Sequence, residues 1–291
     1  LRCPAIDARA VAAAAPSVAA LIHAWLNGRP VLADESASSA GQALRTLALT
    51  NYGHFTSMQV RGRSVQGLSL HLQRLQGATA ELFDSVLDLA PLRRGLQAAV
   101  AGMPDCSLRV TVFSRDFDHR RPDGAFAPDV LVTTSPAATP PTHPVRIRSY
   151  PFARPLPHLK HVATFPLFHH RRLALQAGFD DALFVDAGGL IGEGSVWNLG
   201  FWDGGRVVWP QAPALRGVSE RLLQDALAAA GVAQETRPLR LDQLRDFGAA
   251  FACNATGLWG IREIDTCPFP ATAALLPDLR RAIARLPWES L

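Results

Sequence analysis

Lys160 lies in PHLKHVATF, in a chain where lysine is very scarce beside arginine. Its flanks are apolar (Leu159, Val162, Phe165, Leu167), so its amine can be desolvated, which disfavours the ammonium form and leaves a neutral nucleophile able to form an imine with a carbonyl. A lone lysine is more often a solvated surface group; the apolar setting is what argues for chemistry. Glu193, in LIGEGSVWNLGF, is an acid inside a strand-like apolar stretch, where burial without a cationic partner is costly. His169 and His170 are adjacent, point in different directions and read as surface polarity, so no metal is expected. No GxGxxG, Walker-type loop, GxSxG elbow or HExxH is present.

The elements that must position these residues alternate short strands with amphipathic helices. In GLSLHLQRLQGATAELF, Leu68, Leu72, Leu75, Thr79 and Leu82 recur at steps of four and three along one helix face, with Arg74 on the other. SLRVTVFSR (107–115) and APDVLVTT, ending at Thr134, read as strands. Seven prolines between Pro136 and Pro157 exclude a helix and favour an extended connector. FPLFHHRRLALQAGF is helix-like, and two hairpins are expected to turn at Asp186-Ala187-Gly188-Gly189 and Asp203-Gly204-Gly205, with helices over 217–231 and 274–286. The expected organisation is an Ala-rich extension (1–24), a small α+β domain (25–135), the Pro-rich connector (136–157) and a larger domain (158–291).

At 291 residues, with 48% hydrophobic and 19% charged residues, the chain can fill a substantial core. Its formal charge of +4 is dispersed, which argues against a nucleic-acid partner. Cys3, Cys106, Cys253 and Cys267 have no metal-ligand or redox spacing, which favours the cytoplasm. The Ala-rich start, broken by Pro16, does not read as a signal peptide, and no apolar run is long enough to span a membrane. Its first residue is Leu rather than Met, which suggests an incomplete or trimmed terminus.

In four blocks the sequence resembles the class IV aminotransferases of pyridoxal 5'-phosphate (PLP) fold type IV: LNGRPV (26–31), HLQRL (71–75), GFDDALFVDAGGLIGEGSVWNLGFWDGGRVVWP (178–210) and ALRGVSERLL (214–223). The 33 residues from Lys160 to Glu193 also fit that family. The resemblance implies a two-domain α/β fold, an obligate homodimer and PLP held as a Schiff base on Lys160, with Glu193 against the pyridine nitrogen. It further implies that Arg74, Val218 and Ser219 hold the phosphate, with Thr256 as another contact, and that Asn198 supports Glu193. Tyr52 and Arg109 are the expected substrate-lining residues.

Two departures concern the substrate pocket. NYGHFTSMQV (51–60) lacks the family's Asp-Gly pair and carries Thr56 where glutamate is common, and Phe165 replaces a frequent tyrosine. The resemblance implies transamination between an amino acid or amine and a keto acid. The Lys160-His161 pair, the FTS segment and Cys253-Asn254-Ala255 also resemble 4-amino-4-deoxychorismate lyase, a second reading. A catalytically silent binding protein of the same fold is a third.

Overall fold

The computed structural model describes residues 23–30, 39–103 and 105–291, so most of the Ala-rich extension, with Cys3, lies outside the described residues. The first part of the chain runs β1 (His23–Leu26), β2 (Arg29–Pro30), α1 (Ser39–Thr50), β3 (Gly53–Val60), β4 (Ser64–Val65), α2 (Leu68–Phe83), α3 (Leu89–Val100), β5 (Cys106–Phe113) and β6 (Asp129–Pro136). Five of its strands form an antiparallel sheet in the order β2-β1-β6-β5-β3. Val110, Val112 and Met58 from the sheet pack against Leu72, Leu75 and Phe83 of α2 and Leu92 and Leu96 of α3. The helical spacing read from the sequence therefore buries Leu68, Leu72, Leu75 and Thr79, together with His71.

The second part comprises β7 (Val145–Pro151), α4 (Phe165–Gln176), β8 (Asp181–Val185), β9 (Ile191–Gly194), β10 (Asn198–Trp202), β11 (Val207–Pro210), α5 (Val218–Ala229), β12 (Gln234–Arg237), β13 (Ala249–Asn254), β14 (Gly257–Ile264), β15 (Cys267–Pro268), α6 (Thr272–Ala284) and β16 (Glu289–Ser290). A mixed sheet runs β12-β11-β10-β13-β14-β7-β8-β9, with β15 on β14. Its strands alternate between two cores. Leu199, Phe201, Val208, Ala250 and Ala252 face one, while Val207, Trp209, Phe251 and Cys253 face the other beneath α5 and α6. The Pro-rich segment is more than a connector: Val145–Pro151 is an interior strand, parallel to both β14 and β8. Proline is tolerated there because Pro144 and Pro151 bound the strand rather than interrupt it.

The two sheets are stitched by backbone. Phe55 N–H donates to Lys160 O at 2.9 Å and Val162 N–H to Gly53 O at 2.9 Å, so the lysine segment lies along the free edge of β3. In addition, β16 pairs with β4 and Gln66 donates to the carbonyls of Ile283 and Leu286. No helix among the described residues is long and apolar enough to cross a membrane, and no cluster of metal-ligating side chains occurs among them.

Gly194, at the end of β9, lies against the indole of Trp197, and a Cβ there would stand 1.9 Å from Trp197 Cε2. Gly194→Ala is therefore expected to destabilise the protein by about 1–3 kcal/mol, the usual cost of overpacking. Urea unfolding should show a lower midpoint at unchanged slope. An unchanged midpoint would mean that the indole yields freely.

Candidate active site

A cavity of about 290 Å³ opens between the two sheets. Lys160, Glu193, Arg74, Arg109, Val218, Ser219 and Thr256 all line it, so residues separated by up to 182 positions in the chain meet there. The seam with β3 carries Lys160 to its wall, with Nζ 4.9 Å from the Phe55 ring centroid. Burial, with Arg74 and Arg154 nearby, lowers its ammonium from 10.5 to about 7, although Glu193 opposes the shift. Near neutrality a substantial share of this amine is unprotonated. The chain in fact contains a single lysine, a stronger signal than scarcity alone.

Glu193 sits on β9, 4% exposed, and finds the partner that its burial demands in Arg154. Arg154 Nε donates to Oε1 at 2.8 Å and Nη2 to Oε2 at 3.3 Å, a two-pronged buried pair. Sequence reasoning missed Arg154. Its signal was an arginine six residues before Lys160 in the otherwise uncharged stretch PFARPLP.

At the other end, Arg74 on α2 donates from Nη2 to Arg216 O at 2.6 Å, which ties the small-sheet helix to the loop entering α5. On the helix face opposite the buried leucines, its guanidinium is half-buried at the cavity. Burial, with Arg221 and Arg154 nearby, lowers its pKa to about 10, so it remains a cation near neutral pH. Val218 and Ser219 open α5, whose first N–H groups lack intrahelical acceptors. Asn198 holds the approach to this helix: Nδ2 donates to Leu215 O at 2.7 Å, and a Cβ on Gly217 would lie 2.2 Å from its Oδ1. Thr256 follows a turn closed by its own N–H to Asn254 Oδ1 at 2.7 Å. Such a set, with a fixed cation, a helix N-terminus and two hydroxyls, suits a phosphate.

Arg109 lies with its guanidinium carbon 3.6 Å from the Phe55 ring centroid, and its Nε donates to Thr111 Oγ1 at 3.2 Å. Tyr52 is not brought to the cavity. Its ring stacks on Phe117 at 4.1 Å and its hydroxyl donates to Leu82 O, because it precedes β3 on the side facing α2. Thr56 is likewise absent from the pocket: strand alternation turns Phe55 and Ser57 to the cavity but Thr56 to α2, where Oγ1 pairs with His71 Nδ1 at 2.7 Å. Phe165 is 75% exposed and stacked on His169, while Thr164, Leu167 and Phe168 of the same turn line the cavity.

Residues 53–264 match the profile of the family described as Amino-transferase class IV, and the chain belongs to that family. Among solved structures it resembles the PLP-bound form of a hypothetical aminotransferase from Mycobacterium tuberculosis, with a TM-score of 0.74 and 21% identity over 90% of this chain and 97% of that one. It also resembles the Escherichia coli branched-chain amino acid aminotransferase (TM-score 0.77, 16% identity, 90% and 93% covered). A third likeness is to a putative 4-amino-4-deoxychorismate lyase from Legionella pneumophila (TM-score 0.72, 19% identity, 82% and 92% covered). At these identities the likeness is one of fold, and the fold is the two-domain α/β type IV architecture. No curated protein matches the chain.

Removing one partner of a buried ion pair strands the other. Arg154→Ala is expected to lower stability by about 3–5 kcal/mol, and Arg154→Met combined with Glu193→Gln to recover most of that loss. Denaturant titration of the single and double variants checks this. Additive losses would mean that the two side chains act independently.

Proposed function

We propose that the chain is a PLP-dependent aminotransferase that moves an amino group between an amino acid or amine and a keto acid. The observation that carries this reading is the imbalance of the cavity wall, where Lys160, Arg74, Arg109 and Arg154 face a single lining carboxylate, Glu193. Such a wall favours an anionic guest. The donor set fits PLP at three separate points: Arg74, Ser219, Thr256 and the α5 N-terminus for the phosphate, Glu193 for the ring nitrogen, and the Lys160 amine for the aldehyde.

When bound, PLP supplies an electron sink for the carbon bearing the substrate's amino group. Lys160 Nζ, its pKa lowered to about 7 by burial and neighbouring arginines, would hold the group through its aldehyde and, as a free amine, would take the proton from the substrate carbon and carry it to a second atom of the bound pair. Arg154 fixes the plane of the Glu193 carboxylate, which holds negative charge where the ring nitrogen would carry its proton. Arg109 and Ser57, projecting from neighbouring strands β5 and β3, border the space left for substrate.

The substrates are of the amino-acid and keto-acid class, and the working unit is a homodimer. Exposed Phe165, Phe168, Leu173 and Leu175 on α4, with Leu156 before it, support association with a second copy. Free Cys106, Cys253 and Cys267 agree with a cytoplasmic location.

Borohydride treatment of the protein mixed with PLP is expected to add one pyridoxyl group per chain, on Lys160, and Lys160→Arg should abolish the addition. A label on the terminal amine alone would overturn the reading. With a panel of amines and keto acids the protein should exchange amino groups. Release of 4-aminobenzoate from aminodeoxychorismate without any acceptor would mark the lyase instead. Glu193→Gln should retain PLP but slow the amino-transfer half-reaction by on the order of 10²-fold, equivalent to about 2.7 kcal/mol. A rate within threefold of the parent would remove Glu193 from the ring nitrogen.

A further inference from the structure

Helix α5, whose first two residues line the cavity, carries an acid directly behind them in its first turn. Glu220, the third residue of the helix, is 2% exposed. Its Oε1 pairs with Arg216 Nη1 at 3.0 Å, its carboxylate accepts the Gly217 N–H, and its Oε2 is buried without a hydrogen-bond partner. A carboxylate in the first turn stabilises a helix whose terminal N–H groups are otherwise unmet. The same charge repels a phosphate dianion delivered to that terminus. Arg216 connects the two demands, since its carbonyl accepts from Arg74 while its guanidinium holds Glu220.

We propose that phosphate binding at the α5 N-terminus is coupled to proton uptake by Glu220, which acts as a positioning residue. As a carboxylate it holds Arg216 and the Gly217 N–H in place before the ligand arrives. As a neutral acid it removes a like charge from the helix terminus that receives the phosphate and turns the unpartnered oxygen into a hydroxyl. The inference rests on the reading of the cavity as the PLP site. Among the described residues, the charged and titratable groups acting on Glu220 are Arg216 in its own turn, Glu193 on β9 and Cys253 on β13. Burial raises the carboxyl to about 7 against the pull of Arg216 and the Gly217 N–H, with Glu193 adding to the rise. Burial holds the Cys253 thiol far above its ordinary value, so it stays protonated throughout.

The sign of the pH dependence follows. A bound dianion raises the Glu220 carboxyl further, so affinity is full below about pH 7 and falls above it, by up to about tenfold per pH unit. Lys160 titrates in the same range, so the informative quantity is the difference between the parent and Glu220→Gln.

The probe is pyridoxine 5'-phosphate, which has no aldehyde for Lys160 to attack, titrated calorimetrically into the full chain in two buffers of different ionisation enthalpy. At pH 8 the parent is expected to take up more protons per ligand than Glu220→Gln, by about half a proton or more. The glutamine variant should bind several-fold more tightly than the parent at pH 8.5 and equally at pH 6. Arg216→Met, which removes the cation holding the carboxylate, should also lose uptake at pH 8 because Glu220 is then protonated beforehand. Equal proton counts in parent and variants, with weaker binding by glutamine at every pH, would reduce Glu220 to a helix cap and overturn the coupling alone. Failure of the parent to bind, or binding that Arg74→Ala leaves unchanged, would overturn the cofactor site and the coupling with it.

Discussion

Four basic side chains held around one carboxylate in a partly desolvated cavity form the constraint on which the site depends. Like charges out of water raise one another's energy, and the only group among the four able to shed its charge near neutral pH is Lys160. Its lowered pKa follows from burial first and then from the cations around it. The same field keeps His71, one helical turn from Arg74, neutral: burial, Arg74 and Lys160 lower its imidazole to about 3. Glu193 answers one of the three guanidinium groups in a two-pronged pair, while among the described residues neither Arg74 nor Arg109 has a carboxylate partner, which leaves their charge to an anionic guest.

Neither sheet builds this arrangement alone. The small sheet supplies Phe55, Ser57 and Arg109 from adjacent strands and Arg74 from the helix above them, whereas the mixed sheet supplies Glu193 and the approach to α5. Two backbone hydrogen bonds along β3 and the bond from Arg74 to Arg216 O close the seam. Buried backbone groups must be paired, so the edge of β3 constrains the lysine segment more firmly than any side-chain contact could. The register of that pairing also explains the substrate side of the cavity. Shifting β3 by one residue would turn Thr56 in and Phe55 out, removing the ring over which both Lys160 and Arg109 are placed.

What was legible in the sequence followed local periodicity and chemistry. The face of α2, the strands around 107–115 and 127–134, the hairpin turns and the opening of α5 are set by short-range patterns that the structure keeps. Lys160 and Glu193 could be singled out because each was a charged residue in apolar surroundings. The misses at Tyr52 and Thr56 share a cause, since strand alternation decides which side chain of NYGHFTSMQV faces the cavity and its phase depends on where β3 begins. Tyr52 lies just before Gly53, whose φ of 157° and close approach to Val112 O start the strand, and it falls on the side of α2. Arg154 was hidden for a different reason. The proline density around it reads as a surface connector, although the segment just before it, Val145–Pro151, is a strand paired between two parallel neighbours.

The arginine content of the chain makes physical sense of its single lysine. A guanidinium serves wherever a cation is needed for an ion pair or a phosphate, and its charge is fixed at every pH the protein meets. It cannot serve as an imine-forming nucleophile, because that role needs a group that loses its proton readily. Surrounding one titratable amine with arginines rather than lysines has a further effect. A lysine neighbour would share protons with the first and spread the titration over several states, whereas arginines impose a constant field on one group. Together with burial, Arg74, Arg154 and Arg109 thereby lower the pKa of Lys160 without titrating alongside it, and the remaining adjustable charges are carboxyls, Glu193 in the cavity and Glu220 behind it. Of those, Glu193 is committed to Arg154, which leaves Glu220, with one oxygen unpartnered, as the acid whose proton can follow the ligand.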